Sequence, residues 1–219
     1  MFIPILSVVT AIFATLTILL RRKGKSFEGM LCKFISSFGF MSMAFIGFCY
    51  RIEEADKLVH PFYFCLVAFG LLFGLGGDVL LGIKEIAPKY KNKLIALGTF
   101  AFLIGHFFYL ASFYKAEPTF SIIPYIAAFV ITAIIAIIIK AVKMKLDRKM
   151  YILCVFYFFV IALCACVSGY MLYLTRSLTF IITTIASVVF VISDAVLAFV
   201  YFTPVKRKNP LVTIELATY

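Results

Sequence analysis

The stretch MYILCVFYFFVIALCACVSGYMLY, residues 150–173, runs for 24 residues without a charge or a proline. Coiled as an α-helix it is about 36 Å long at about 1.5 Å per residue, enough to cross a hydrocarbon core of about 30 Å. Reading outward on both sides repeats the pattern. Seven such stretches lie end to end at 2–20, 30–50, 61–83, 94–114, 122–142, 150–173 and 177–202, separated by short polar breaks. None alternates apolar and polar residues in the short segments of a membrane β-barrel. The first stretch differs from a cleaved signal peptide because Arg21, Arg22 and Lys23 follow its apolar run instead of preceding it, so it reads as a retained span.

Composition agrees. Of 219 residues, 64% are apolar and 14% charged, with a mean hydropathy of +1.11, and no water-soluble fold hides that much apolar surface beneath a polar skin. The expected fold class is all-α: a polytopic transmembrane bundle of seven spans plus the start of an eighth, organised as one domain over 1–219. Sixteen Lys and Arg residues follow the odd-numbered spans and four follow the even ones, which puts the odd loops in the cytosol and the N-terminus outside or in a lumen. The net charge of +11 is thus a topology signal. It is not the basic, aromatic-studded face of a nucleic-acid binder, so no nucleic acid is expected as a partner. The six cysteines fall within spans or at their ends and form no CxxC; they act as small apolar residues, with neither a disulfide nor a metal assigned.

Function is sought among polar groups at membrane depth, where each is costly. Lys33, Asp78, His106, Tyr157 and Asp194 stand out. Counted from the cytosolic end of each span, Lys33, Asp78, Tyr157 and Asp194 all lie within about eight residues, or about 12 Å, which predicts a shared polar cavity opening toward the cytosolic leaflet. His106 lies nearer mid-membrane. Gly70, Gly74, Asp78 and Gly82 recur every four residues, a stripe expected to admit a neighbouring helix closely. His106 shares a face with Gly98, Thr99, Phe102, Tyr109 and Phe113, an aromatic wall suited to a hydrocarbon chain. Structural roles compete with these readings. The aspartates can be interhelical hydrogen-bond partners, Lys33 can snorkel to the interface, His106 and Tyr157 can be packing residues, and His60 reads as solvated.

Three blocks carry a resemblance to the YhhN/TMEM86 membrane proteins, whose characterised members are lysoplasmalogenases. Residues 76–81, GGDVLL, look like that family's GDxxL segment. Residues 98–113, GTFAFLIGHFFYLASF, are similar to its G-x3-F-x3-H-x2-Y-x3-F helix, and residues 190–198, FVISDAVLA, to its F-x2-SDxxLA helix. Lys33 falls where the family has a lysine in its second span, with Phe34 in place of the usual proline. Tyr157 matches a tyrosine of the sixth span. Ala217, Thr218 and Tyr219 look like the start of the last family helix, TYxxAQ, so the eighth span is expected to be cut short.

The resemblance implies hydrolysis of the vinyl ether of a lysoplasmalogen to a fatty aldehyde and glycerophosphocholine or glycerophosphoethanolamine. It implies Asp78 and Asp194 as catalytic residues and Lys33, His106, Tyr109, Tyr157, Ser193 and Tyr219 as substrate-binding ones, with no cofactor. The partners are then a lysophospholipid substrate and the bilayer, in the endoplasmic reticulum of a eukaryote or the cytoplasmic membrane of a bacterium. The chemistry is coherent: protonating a vinyl ether at carbon makes an oxocarbenium ion that water captures, and two carboxyls divide such labour in glycosidases. At this level the acid of the two stays open. Lys33 either neutralises the other carboxylate or holds the phosphate. Two rivals belong to other classes: a lipid or solute carrier with the aspartates as a proton relay, and an intramembrane aspartyl protease. The protease's GxGD pattern needs glycine where Leu75 stands.

Overall fold

The structure, a computed structural model, describes residues 2–54, 61–116, 121–144 and 146–203. Several residues singled out from sequence lie outside these: His60, Lys145, the basic residues Lys206, Arg207 and Lys208, and Tyr219 with the start of the eighth helix. Among the described residues the chain is helical without strands. Seven helices coincide with the seven apolar stretches: α1 Phe2–Arg22, α2 Ser26–Glu54, α3 Pro61–Ile86, α4 Lys91–Ala116, α5 Ile123–Ala141, α6 Arg148–Thr175 and α7 Leu178–Phe202. One 3-10 turn, Pro88–Tyr90, precedes α4. Most helices run a few residues past their apolar stretches, because the backbone ladder continues into the polar flanks where water satisfies the terminal groups.

Six of the helices are long and apolar enough to cross a membrane, and α1 adds a shorter apolar run, Pro4–Leu20. Their outer faces carry large apolar side chains in the open: Ile123, Phe129 and Ile137 on α5 are each more than 60% exposed. Such surface needs lipid as its solvent. The protein is an integral, multi-pass membrane protein.

The chain divides into two compact units, Met1–Ser112 and Phe113–Tyr219, with the boundary in the last turns of α4. In the first, α1 packs on α2 and α2 on α3, and α3 meets α4 through its glycines. Buried Ser36 of α2 donates to the Thr10 carbonyl of α1 at 3.3 Å. The α3/α4 contact rests on a glycine register at seven-residue spacing. A Cβ added at Gly105 would stand 2.9 Å from the Gly70 carbonyl oxygen, and one at Gly98 would stand 3.4 Å from that of Gly77. Gly70 and Gly77 of α3 therefore meet Gly105 and Gly98 of α4 in antiparallel order, and at the Gly70/Gly105 crossing only a residue without a side chain permits that approach.

This differs from the expected four-residue stripe. Gly70 faces α4, Gly82 faces Met30 of α2, and a Cβ at Gly74 would meet nothing within 4 Å. Over three turns a four-residue period drifts round a helix of 3.6 residues per turn, whereas a seven-residue period stays on one face.

In the second unit α6 lies between α5 and α7. Much of its apolar surface is buried, with Phe158, Val160, Ile161, Cys164, Val167 and Met171 among the innermost residues. Asp147 caps α6 by accepting from the Met150 amide at 2.8 Å. Arg176, at φ 50°, ends the helix in the left-handed region, and Ser177 caps α7 by accepting from the Phe180 amide. That two-residue break turns α7 back along α6.

Candidate functional site

In the first unit, α2 and α3 run antiparallel and close on one another at Gly82, where an added Cβ would stand 2.5 Å from the Met30 side chain. One turn away from each, Lys33 and Asp78 meet. The Lys33 ammonium lies 3.0 Å from Asp78 Oδ1, with the two side chains 8% and 21% exposed. Ser37, one turn further along the same face of α2, donates from Oγ to Asp78 Oδ2 at 2.7 Å. A charge at membrane depth is tolerated only when paired or hydrogen-bonded, and here one Asp78 oxygen faces the ammonium while the other accepts from a hydroxyl. Lys33 does not snorkel. It turns inward to the carboxylate, the first of the two roles open to it from sequence.

Ser37 was not legible as a site residue. A serine in a membrane helix commonly returns its hydroxyl to its own backbone, as Ser42 does to Phe38 here, and costs little. The signal that finds it is its place four residues after Lys33, on the same helix face.

In the second unit the Tyr157 hydroxyl of α6 donates to Asp194 Oδ2 of α7. Tyr157, Asp194 and the neighbouring Ser193 are 5%, 7% and 4% exposed. Tyr157 and Asp194 lie at nearly equal distances either side of the Arg176–Ser177 turn, so the antiparallel pairing of α6 and α7 brings them to one depth. Tyr157 thus has a polar partner and is more than a packing residue.

His106 is buried on α4, with Nδ1 2.8 Å from the Phe102 carbonyl. A carbonyl only accepts, so Nδ1 carries the hydrogen, and Nε2 is the ring position left to accept in a neutral imidazole. The ring meets Tyr109 edge-on at 5.7 Å. The wall this face was expected to offer a hydrocarbon chain is largely spent on packing. Phe102 lies against Gly77, Tyr109 against Gly70, and Phe113 meets Phe180 edge-on at 6.3 Å.

The chain thus holds one carboxylate gripped by an ammonium and a hydroxyl, one buried carboxyl gripped by a phenol, and one buried imidazole of defined tautomer. Such groups can donate, accept and store protons at a place water reaches poorly. The model of the YhhN family matches residues 30–219. No curated protein and no solved structure matches the chain.

Proposed function

Because the chain belongs to the YhhN family over most of its length, we propose that it is a lysoplasmalogenase-like hydrolase. It cleaves the vinyl ether of a lysoplasmalogen, consuming one water and releasing a fatty aldehyde and glycerophosphocholine or glycerophosphoethanolamine. The observation that supports this reading best is the setting of the two aspartates at membrane depth: Asp78 is ion-paired with Lys33 and accepts from Ser37, and Asp194 accepts from the Tyr157 hydroxyl.

The roles follow from those settings. Asp78, paired with the Lys33 ammonium, serves as the carboxylate that faces the developing cation, and Asp194 serves as the acid. Asp194 delivers its proton to the second carbon of the alkenyl chain, and the carbon–carbon π electrons form the new C–H bond. The first carbon and the ether oxygen then share the positive charge, which the Asp78 carboxylate stabilises. Water adds to the first carbon and gives a proton back to the Asp194 carboxylate. As the resulting hemiacetal breaks its bond to the glycerol oxygen, the hydroxyl's O–H electrons form the carbonyl and its proton passes to the leaving oxygen, giving aldehyde and alcohol. Lys33 and Ser37 position Asp78, and Tyr157 positions Asp194.

The test is mass spectrometry of purified protein incubated with a lysoplasmalogen and, separately, with its saturated alkyl-ether analogue. Free aldehyde from the vinyl ether alone is the expected result, since only that substrate yields an oxocarbenium ion on protonation. No aldehyde from either would sink the hydrolase and favour a carrier.

A further inference from the structure

Helices α2 and α3 touch closely at the Met30–Gly82 end and pair at Ser37–Asp78. Toward their other ends, Phe48 and Phe64 stack face to face at 3.7 Å, and Phe45 leans on the same ring at 6.0 Å. Between the polar pair and the ring stack lies a groove of about 520 Å³. Phe38, Met41 and Phe45 line it from α2, and Phe64, Ala68 and Leu72 from α3. It begins one residue beyond Ser37 and follows α2 for two turns to Ile46, about 12 Å at about 1.5 Å per residue. Its walls are almost wholly apolar, and Phe38, Phe45 and Leu72 leave their outer edges exposed.

An elongated apolar groove with an ion pair and a hydroxyl at one end has the polarity of a single-chain amphiphile. Its volume is that of a small-molecule site. We propose that the α2/α3 groove holds the hydrocarbon chain of a lysophospholipid, with the bond between chain and glycerol beside Ser37 and Asp78. The proposal rests on the hydrolase reading for the bond that is cut, and on the groove alone for where the chain lies. The Phe48–Phe64 stack fixes the ring that ends the groove, so the far end of the chain lies against it.

The chain contains no tryptophan, so one introduced indole reports its own surroundings. Phe45→Trp places it on the groove wall. Phe129→Trp, at a position 68% exposed on α5, places it against bulk lipid. Each variant is titrated in lipid nanodiscs with a lysophosphatidylcholine brominated in its chain, which quenches indole on contact and has no vinyl ether to cut.

The expected result is saturable quenching of Phe45→Trp, competed by unbrominated lysophosphatidylcholine, against a merely proportional loss in Phe129→Trp. Adding Ala68→Phe, which fills the groove, should abolish the saturable part. Identical curves for the two indoles would overturn the proposal. So would equal saturable quenching of Phe45→Trp by a brominated two-chain phosphatidylcholine, which would make the groove a site for ordinary bilayer lipid. Saturable quenching without aldehyde release would leave the groove standing and remove the hydrolase; aldehyde release without it would remove the groove alone.

Discussion

Replacing Asp78 or Asp194 by asparagine keeps the size of the side chain and removes its capacity to take or give a proton. If both act in the chemistry, each variant folds and reaches the membrane but turns over about 10²- to 10⁴-fold more slowly. The double variant should be scarcely worse than either single one, because the residues work as a unit. A purely structural interhelical hydrogen bond is worth on the order of 1 kcal/mol, so activity would then fall only with the amount of folded protein. Turnover assayed per folded molecule separates the two cases. Ser37→Ala removes one donor from Asp78 and leaves the ammonium in place, so it should cost about 1 kcal/mol of stability, whereas Lys33→Met strands a half-buried carboxylate at membrane depth and should destabilise the fold by more, about 3 kcal/mol. A thermal-melt comparison of the two variants checks that order. At this scale the sequence was legible wherever a residue is expensive: Lys33, Asp78, His106 and Asp194 announce themselves by their cost at depth. Their partners were not, since a helix sequence carries no record of which neighbour its polar face meets, and cheap Ser37 left no mark.

At the scale of the helices, the decisive feature is how closely α3 and α4 approach. A Cβ at Gly105 would press within 2.9 Å of a backbone oxygen that cannot rotate away, so Gly105→Ala must force the helices apart at a cost of about 1–3 kcal/mol, typical of overpacking. Gly74→Ala meets nothing within 4 Å and should be neutral or slightly stabilising, because alanine is the better helix former by about 1 kcal/mol. Reversible unfolding of the two variants in the same detergent gives the comparison; equal losses would place the α3/α4 seam elsewhere. The spans themselves were readable to within a few residues, since unbroken apolar length is set by the bilayer alone. The glycine seam was not. Gly70, Gly74 and Gly82 also fit a four-residue period, and choosing between periods needs the partner helix, whose matching Gly98 and Gly105 lie in another span.

For the molecule as a whole, composition was enough to recognise a membrane bundle, because the excess of apolar surface has no other solvent. Depth could be ranked along the chain, and the ranking holds inside each unit: Lys33 meets Asp78, and Tyr157 meets Asp194. Orientation rests on the bias of cations toward the odd loops, so tags in the segments around Lys91 and Lys145 should be digested by protease added to the cytosolic face of sealed microsomes. Protection of both would reverse the topology. The central claim is that a carbon of the substrate takes a proton from Asp194 and water then cuts the ether. It is tested most directly by running the reaction in heavy water and weighing the aldehyde. The expected product carries one deuterium on the carbon next to the carbonyl, forms at the enzymatic rate with the unaltered protein, and falls to background with Asp194→Asn. Aldehyde without that deuterium, or the same rate with Asp194→Asn, would contradict it.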